Sequence, residues 1–176
     1  MANSERKMTV PAMKTDYSPL PTRYSPDLRQ QIVQEARSWI GTPYHHQASL
    51  KGVGCDCLGL IHGVWRAIYG EEPEAPPPYT PDWAEARGSE TLLHAATRHL
   101  QVIEAADAGA GDVVLFRWRD HLPAKHCAIL TGPAMMIHAH EVAPVAEVPL
   151  GPWWQRRMAA AFRFRQALNR DFRKTL

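Results

Sequence analysis

The apolar residues of this chain change their spacing once, at Gly111, and that change limits the elements it can fold into. Upstream they recur with the period of an amphipathic helix. Downstream they alternate or run continuously, as strands require. Leu28, Ile32, Val33, Ala36, Trp39 and Ile40 form a first helical stripe. Ser25-Pro26-Asp27 supplies its N-cap, first-turn proline and an acid at the positive end of the dipole, and Gly41 stops it. A second stripe, Cys57, Leu60, Ile61, Val64, Trp65 and Ile68, closes near Tyr69-Gly70. After Gly111, segments 112–118, 126–130, 134–140, 145–150 and 158–165 read as strands. The last ends in Phe162-Arg163-Phe164-Arg165, one face in and one face out. Helices first and an antiparallel meander afterwards define an α+β layout.

The rest of the chain connects these elements. Residues 1–24 are polar and Pro-dotted, without periodicity, and read as an extended arm. Residues 42–54 form a loop, and 71–81 hold five prolines, a stiff connector of polyproline II character. Pro81-Asp82-Trp83 and Ser89-Glu90 look like the starts of two short helices, the second running to about Leu100. Residues 25–167 are expected to form one domain, with 71–100 as an insertion and 168–176 as a basic tail. A chain of 176 residues can bury one proper core and is too short for two.

Composition excludes several function classes. A net charge of +2 gives no long-range field toward nucleic acid or an acidic membrane surface. Seven basic residues crowd the last 21 positions, among them Arg156, Arg157, Arg163 and Arg165, and read mainly as a solvated strand face and tail. Three cysteines make no disulfide framework. The N-terminus lacks the apolar core of a signal peptide, and no window reaches transmembrane length. The expectation is a protein without membrane insertion that is made and kept in a reducing cytoplasm, or leaves it by a route other than standard secretion.

Chemistry concentrates at Gly54-Cys55-Asp56-Cys57-Leu58-Gly59-Leu60-Ile61, where a turn enters the second helix with Asp56 as its cap. A thiol in a first helical turn feels the positive end of the helix dipole, which favours the nucleophilic thiolate. The plainer alternative is that Cys57 is a small core residue. A cysteine nucleophile needs a base, and the base needs a group that fixes its tautomer. Thr131-Gly132-Pro133 is a turn signal between two strands carrying His126 and His138. A hairpin centred on Gly132 places these two directly opposite each other, unless a bulge in the Pro-containing turn shifts the register. His140 shares that face by period and is the rival orienter. Cys55, Cys57, His126 and His138 could be collected around zinc, but Cys-x-Cys is too tight and has no matching second pair. No metal or other cofactor is therefore expected. His45-His46 reads as an exposed or substrate-facing loop pair, and Gly52-Val53-Gly54 lacks the Lys and Ser/Thr of a phosphate loop.

Five short motifs, in order over residues 41–139, carry a family resemblance. They are Gly41-Thr42-Pro43-Tyr44, Asp56-Cys57-Leu58-Gly59-Leu60, Gly111-Asp112-Val113-Val114, His126-Cys127-Ala128-Ile129 and Ile137-His138-Ala139. With them the chain resembles NlpC-type cysteine peptidases, papain-like enzymes that cleave the stem peptides of the bacterial cell wall. The resemblance implies Cys57 as nucleophile, His126 as base and His138 as the orienting third residue. It also implies that Tyr44 hydrogen-bonds near the nucleophile and helps hold the oxyanion, beside the capping Asp56. The implied substrate bond joins γ-D-glutamyl to diaminopimelate.

Two departures stand out. Leu58 replaces the Ser usual after the Cys, and the stretch after the Cys helix, with Pro76 to Trp83, is longer than in compact secreted members. Both features resemble a subgroup of wall peptidases carried on phage and gene-transfer-agent tails. This implies a protein that acts on the periplasmic wall as part of a tail tip, with tail or hub proteins as partners. The alternatives are a structural tail component of weak or no activity, and an acyltransferase or amidase on the same scaffold.

Overall fold

The computed structural model describes residues 27–166 except 77, 80–87 and 142. The arm at 1–24, the tail at 168–176 and the helix start expected at Pro81-Asp82-Trp83 lie outside these residues.

The first stripe forms α1 (Leu28–Arg37), which buries Ile32, Val33 and Ala36. Asp27 is its N-cap residue, without a capping side-chain bond, so the start falls two residues later than Ser25. Gly41 turns the chain at φ 86°, a value that favours glycine. The expected loop then contains a small ribbon, β1 (Ser49–Leu50) and β2 (Gly54–Cys55). The second stripe forms α2 (Cys57–Tyr69), ended by Gly70 at φ 88°. Leu60 and Val64 on this helix are fully buried. Removing such a side chain from water is worth roughly 1.5–3 kcal/mol.

Two glycines let α2 sit where it does. A Cβ on Gly63 would lie 2.0 Å from the Trp39 ring, and one on Gly59 would lie 1.9 Å from the Ala48 carbonyl oxygen. Neither neighbour can retreat, because Trp39 is buried in the core and the Ala48 contact is backbone. The helix carrying Cys57 is thereby pressed onto its surroundings from the first turn.

The expected second short helix is α3 (Thr91–His99), with Glu90 as N-cap residue. Beyond it, β3 (Gln101–Ile103), β4 (Asp112–Phe116), β5 (His126–Gly132), β6 (Met135–His138), β7 (Ala146–Pro149) and β8 (Met158–Arg163) form one sheet. Its order is β3-β8-β4-β5-β6-β7, antiparallel throughout. The short edge strand β3 and a one-turn helix, α4 (Pro152–Gln155), were not expected from the periodicity.

The central strands are buried on both faces. Val113, Leu115, Cys127 and Ile129 face the helices. Val114, Phe116, Ala128 and Leu130 face a second core, closed by Leu150 and Trp154. Gly111-Asp112 has a structural role here. The Asp112 carboxylate is fully buried and accepts bonds from Arg29 at 2.8 Å, Arg163 at 2.9 Å and the Gly109 N–H at 2.9 Å. Arg163, expected on a solvated strand face, is thus committed to a buried carboxylate. It ties β8 to β4, while Arg29 ties α1 to the same strand.

Candidate active site

The site forms where α2 begins against the start of β5. Asp56 caps the helix: its Oδ1 accepts the Gly59 N–H at 2.8 Å. Its Oδ2 accepts the Gln47 N–H at 2.8 Å and the Tyr79 hydroxyl. One buried carboxylate therefore fixes the first turn of α2, the preceding loop and the proline-rich connector together. Tyr79 returns from that connector to line the cleft, and its carbonyl oxygen meets His46 Nε2 at 2.8 Å. A connector that read as a spacer supplies one wall of the site.

Cys57 is the first residue of α2, partly exposed at the cleft. Its thiol is held well below the ordinary thiol range. The largest cause is a hydrogen bond from the Cys127 thiol, followed by the charge and hydrogen bond of His126, and these outweigh burial. Cys127 shifts the opposite way, because its proton is shared with Cys57 and it is buried. Cys55 faces the core, and burial, then the charges of Asp56 and Cys57, push it up to about 12. It is an inert neighbour.

His126 opens β5 and His138 closes β6, and their rings meet through Nε2 and Nδ1 at 2.9 Å. The register differs from a Gly132-centred hairpin. Ile129 faces Ile137 and Leu130 faces Met136, with an irregularity between Leu130 and Gly132. Extended along the strands, this register sets His140 opposite His126 and makes His138 its diagonal neighbour. The diagonal is still within reach of two aromatic rings on one face. The recorded bond of His140 runs to its neighbour's carbonyl, Glu141 O, at 3.3 Å.

Aromatic rings hold His126 in place. Trp154 and Trp118 stack on His126 at centroid distances of 5.3 and 5.8 Å. His138 is buried, and its pKa falls to about 3, first through burial and then through the charges of His126 and His140. It is neutral at physiological pH, so Nδ1 can accept a proton bond from His126. Tyr44 bridges to Cys55 on the other side of the cleft. Burial, then the charges of Asp56 and Cys57, raise its phenol to about 12, which keeps it a donor.

Tyr44, Asp56, Cys57 and His126 line one cleft, and His138 stands behind His126. Leu58 points elsewhere, into an apolar pocket between α2 and α3, so the departure from Ser leaves the cleft unchanged. The pattern reading missed Cys127, Tyr79, Trp118 and Trp154. For Cys127 a signal existed: alternation puts it on the helix-facing side of β5, the side on which α2 packs.

A thiol at a helix start, facing two linked imidazoles on an antiparallel sheet, is the layout of the papain-like class. Within that class the chain belongs to the NlpC/P60 family, whose sequence profile matches residues 41–163. No curated protein sequence matches the chain. Among solved structures, it is similar to a lipoprotein-like NLP/P60 family protein from Staphylococcus aureus, with 24% identity and a TM-score of 0.56. That match covers 87% of this chain and 46% of the other. An NlpC/P60 family protein from Bacillus cereus shares 20% identity with a TM-score of 0.58, over 79% of this chain and 40% of that one. The NlpC/p60 domain of the peptidoglycan hydrolase SagA shares 21% identity with a TM-score of 0.55, over 76% and 97% of the two chains. The chain thus spans less than half the length of the first two. These likenesses establish the fold. Among the described residues, no helix is long and apolar enough to cross a membrane.

Proposed function

We propose that this chain is a cysteine endopeptidase that hydrolyses peptidoglycan stem peptides at the γ-D-glutamyl–diaminopimelate bond. The observation that carries this reading is the 2.9 Å bond between His126 and His138, with His126 and Cys57 lining the same cleft. Nε2 of His126 is engaged by His138, so Nδ1 is the nitrogen left for the thiol. Neutral His138 accepts at Nδ1 and fixes His126 as the tautomer with its proton on Nε2. Nδ1 is then free to take the proton of Cys57.

The thiolate attacks the amide carbonyl, and the oxyanion is held by the Cys57 N–H at the helix start and by the Tyr44 hydroxyl. His126 returns its proton to the leaving amine, and the thioester is hydrolysed by water that His126 activates in the same way. Asp56 acts through Gln47 and Tyr79, which it holds at the rim of the cleft.

The family supports a cell-wall role. Carriage on a phage or gene-transfer-agent tail, with tail-tip or hub proteins as partners, is supported by Leu58 and by the long Pro76 to Trp83 stretch. Such a particle would bring the enzyme to the periplasmic wall. The test is incubation of wild type and Cys57→Ala with purified sacculi, with soluble products read by mass spectrometry. Stem-peptide fragments from the wild type alone are expected. No fragments from a folded wild type that still binds tail proteins would replace this reading with a structural one. An acyl group passed to an added amine in place of water would mark a transferase.

A further inference from the structure

The aromatic wall of the cleft extends beyond the rings that hold His126. Trp118 lines the cleft with Cys57 and His126. Trp153, on α4, continues that wall outward, its ring centre 5.8 Å from that of Trp118 and 4.8 Å from that of Trp154. Trp154 packs against the second core, and the same short helix presents Trp153 to solvent. Among the described residues Trp153 is the one exposed tryptophan, with 45% of its surface open. Arg157 fixes it in place. The guanidinium lies over the ring, 3.9 Å from its centre, and Nη1 donates to the Trp153 carbonyl oxygen at 3.1 Å. No carboxylate pairs with Arg157 among the described residues. We propose that Trp153 and Arg157 form a sugar-binding platform that seats the muramyl residue carrying the stem peptide, so that the chain takes stems still attached to the glycan strand. The proposal rests on the stem-peptide reading of the cleft.

A pyranose ring carries hydroxyls around its edge and C–H bonds of slight positive charge on its faces. Those faces pack on an electron-rich indole, and a neighbouring guanidinium donates to hydroxyl and acetamido oxygens. An indole already held by its neighbours loses little freedom when such a ligand arrives. The spacing agrees with the stem. From Trp153 to His126 run two ring-to-ring steps, 4.8 Å to Trp154 and 5.3 Å from there. The lactyl, alanyl and γ-glutamyl units between a muramyl sugar and the scissile carbonyl span on the order of 10 Å when extended. A sugar seated on Trp153 thus leaves the scissile bond within reach of the cleft. A protein partner fits this surface less well, because it needs a broad apolar patch. The other large exposed apolar side chains, Ile40, Leu50, Val53 and Val102, lie at the end of α1, on the β1–β2 ribbon and on β3.

The test uses the Cys57→Ala chain and fluorescein-labelled glycan strands from which an amidase has stripped the stem peptides, so that fluorescence anisotropy reads binding without turnover. Cys57→Ala is expected to bind the bare strands. Adding Trp153→Ala should weaken that binding by about tenfold, the order of one lost aromatic contact, and adding Trp153→Phe should weaken it less. In the active chain, Trp153→Ala should lower kcat/KM for strand-linked stems relative to that for the free stem peptide by a similar factor, through KM. No affinity for bare strands in a chain that cleaves the free peptide overturns the proposal. Equal strand affinity in Trp153→Ala and its parent does the same, as does a Trp153→Ala defect confined to capture of a protein partner. Trp153→Phe carries the comparison if Trp153→Ala folds poorly. If the peptidase reading alone fails, the strands still bind through Trp153 and no form of the chain cuts the peptide.

Discussion

His126 and His138 bond ring to ring at 2.9 Å although the sheet does not set them opposite each other. The pairing survives because the hairpin irregularity shifts the register by an even step. Both imidazoles stay on one face, and the contact becomes diagonal. Trp154 and Trp118, stacked on His126, keep its ring in the plane from which the diagonal bond can form.

That geometry separates the two candidate orienters. His138→Ala should lower kcat on stem peptides by about 100-fold or more, since His126 loses the partner that fixes its tautomer. His140→Ala should lower it by less than about tenfold on the same grounds. Steady-state kinetics of both variants decide it, and the reverse order would place the orienting role on the residue directly opposite in the ladder.

The thiol of Cys57 should alkylate with a pH midpoint well below that of an ordinary cysteine. The Cys127 hydrogen bond is the largest cause of that shift, and His126 follows. Cys127→Ala and His126→Ala should each move the midpoint upward. Iodoacetamide rates measured across pH, with Cys57 modification followed by mass spectrometry, give the comparison.

His138 also sets a pH limit on stability. Its folded pKa of about 3 lies below the ordinary histidine value of about 6.5. Above pH 6.5 neither state binds this proton, so its contribution is complete. Between pH 6.5 and 3 the unfolded chain takes up a proton that the folded chain refuses, and stability falls. The slope from this one group is at most about 1.4 kcal/mol per pH unit. Urea unfolding at pH 7, 5.5 and 4 should show a shallower decline for His138→Asn than for wild type.

Asp112 tests the distinction between motif residues that react and motif residues that hold the frame. Asp112→Ala should cost about 2–4 kcal/mol. That lies toward the lower side for breaking a buried pair, because Arg29 and Arg163 keep roughly a third of their side-chain surface in water. The alkylation midpoint of Cys57 in the folded protein should stay where it is, since the carboxylate lies outside the cleft. Denaturant melts and thiol titration of the same sample separate the two effects.

Much of this frame is written in the spacing of apolar residues. The stripe from Cys57 to Ile68 places a helix whose first residue is the thiol, and Asp56 three residues before Gly59 signals the cap. The five long sheet segments follow from alternation after Gly111. The hairpin register does not, because the irregularity between Leu130 and Gly132 depends on how the Pro133 turn closes. Strand β3 escapes notice because Gln101 and Val102 are exposed at the sheet edge and show no buried face. Cys127 is hidden for the opposite reason. Alternation assigns it to the far side of the sheet from His126, and only the placement of α2 on that side brings it to Cys57.

Cleavage of the stem peptide by Cys57, with His126 as its base, is the proposed activity on which the other roles depend. The most direct measurement uses a synthetic L-alanyl-γ-D-glutamyl-diaminopimelyl-D-alanine peptide, incubated with wild type, Cys57→Ala and His126→Ala and analysed by mass spectrometry. L-alanyl-D-glutamate and diaminopimelyl-D-alanine are expected from the wild type, and intact peptide from both folded variants. Cleavage by Cys57→Ala at the wild-type rate would contradict it.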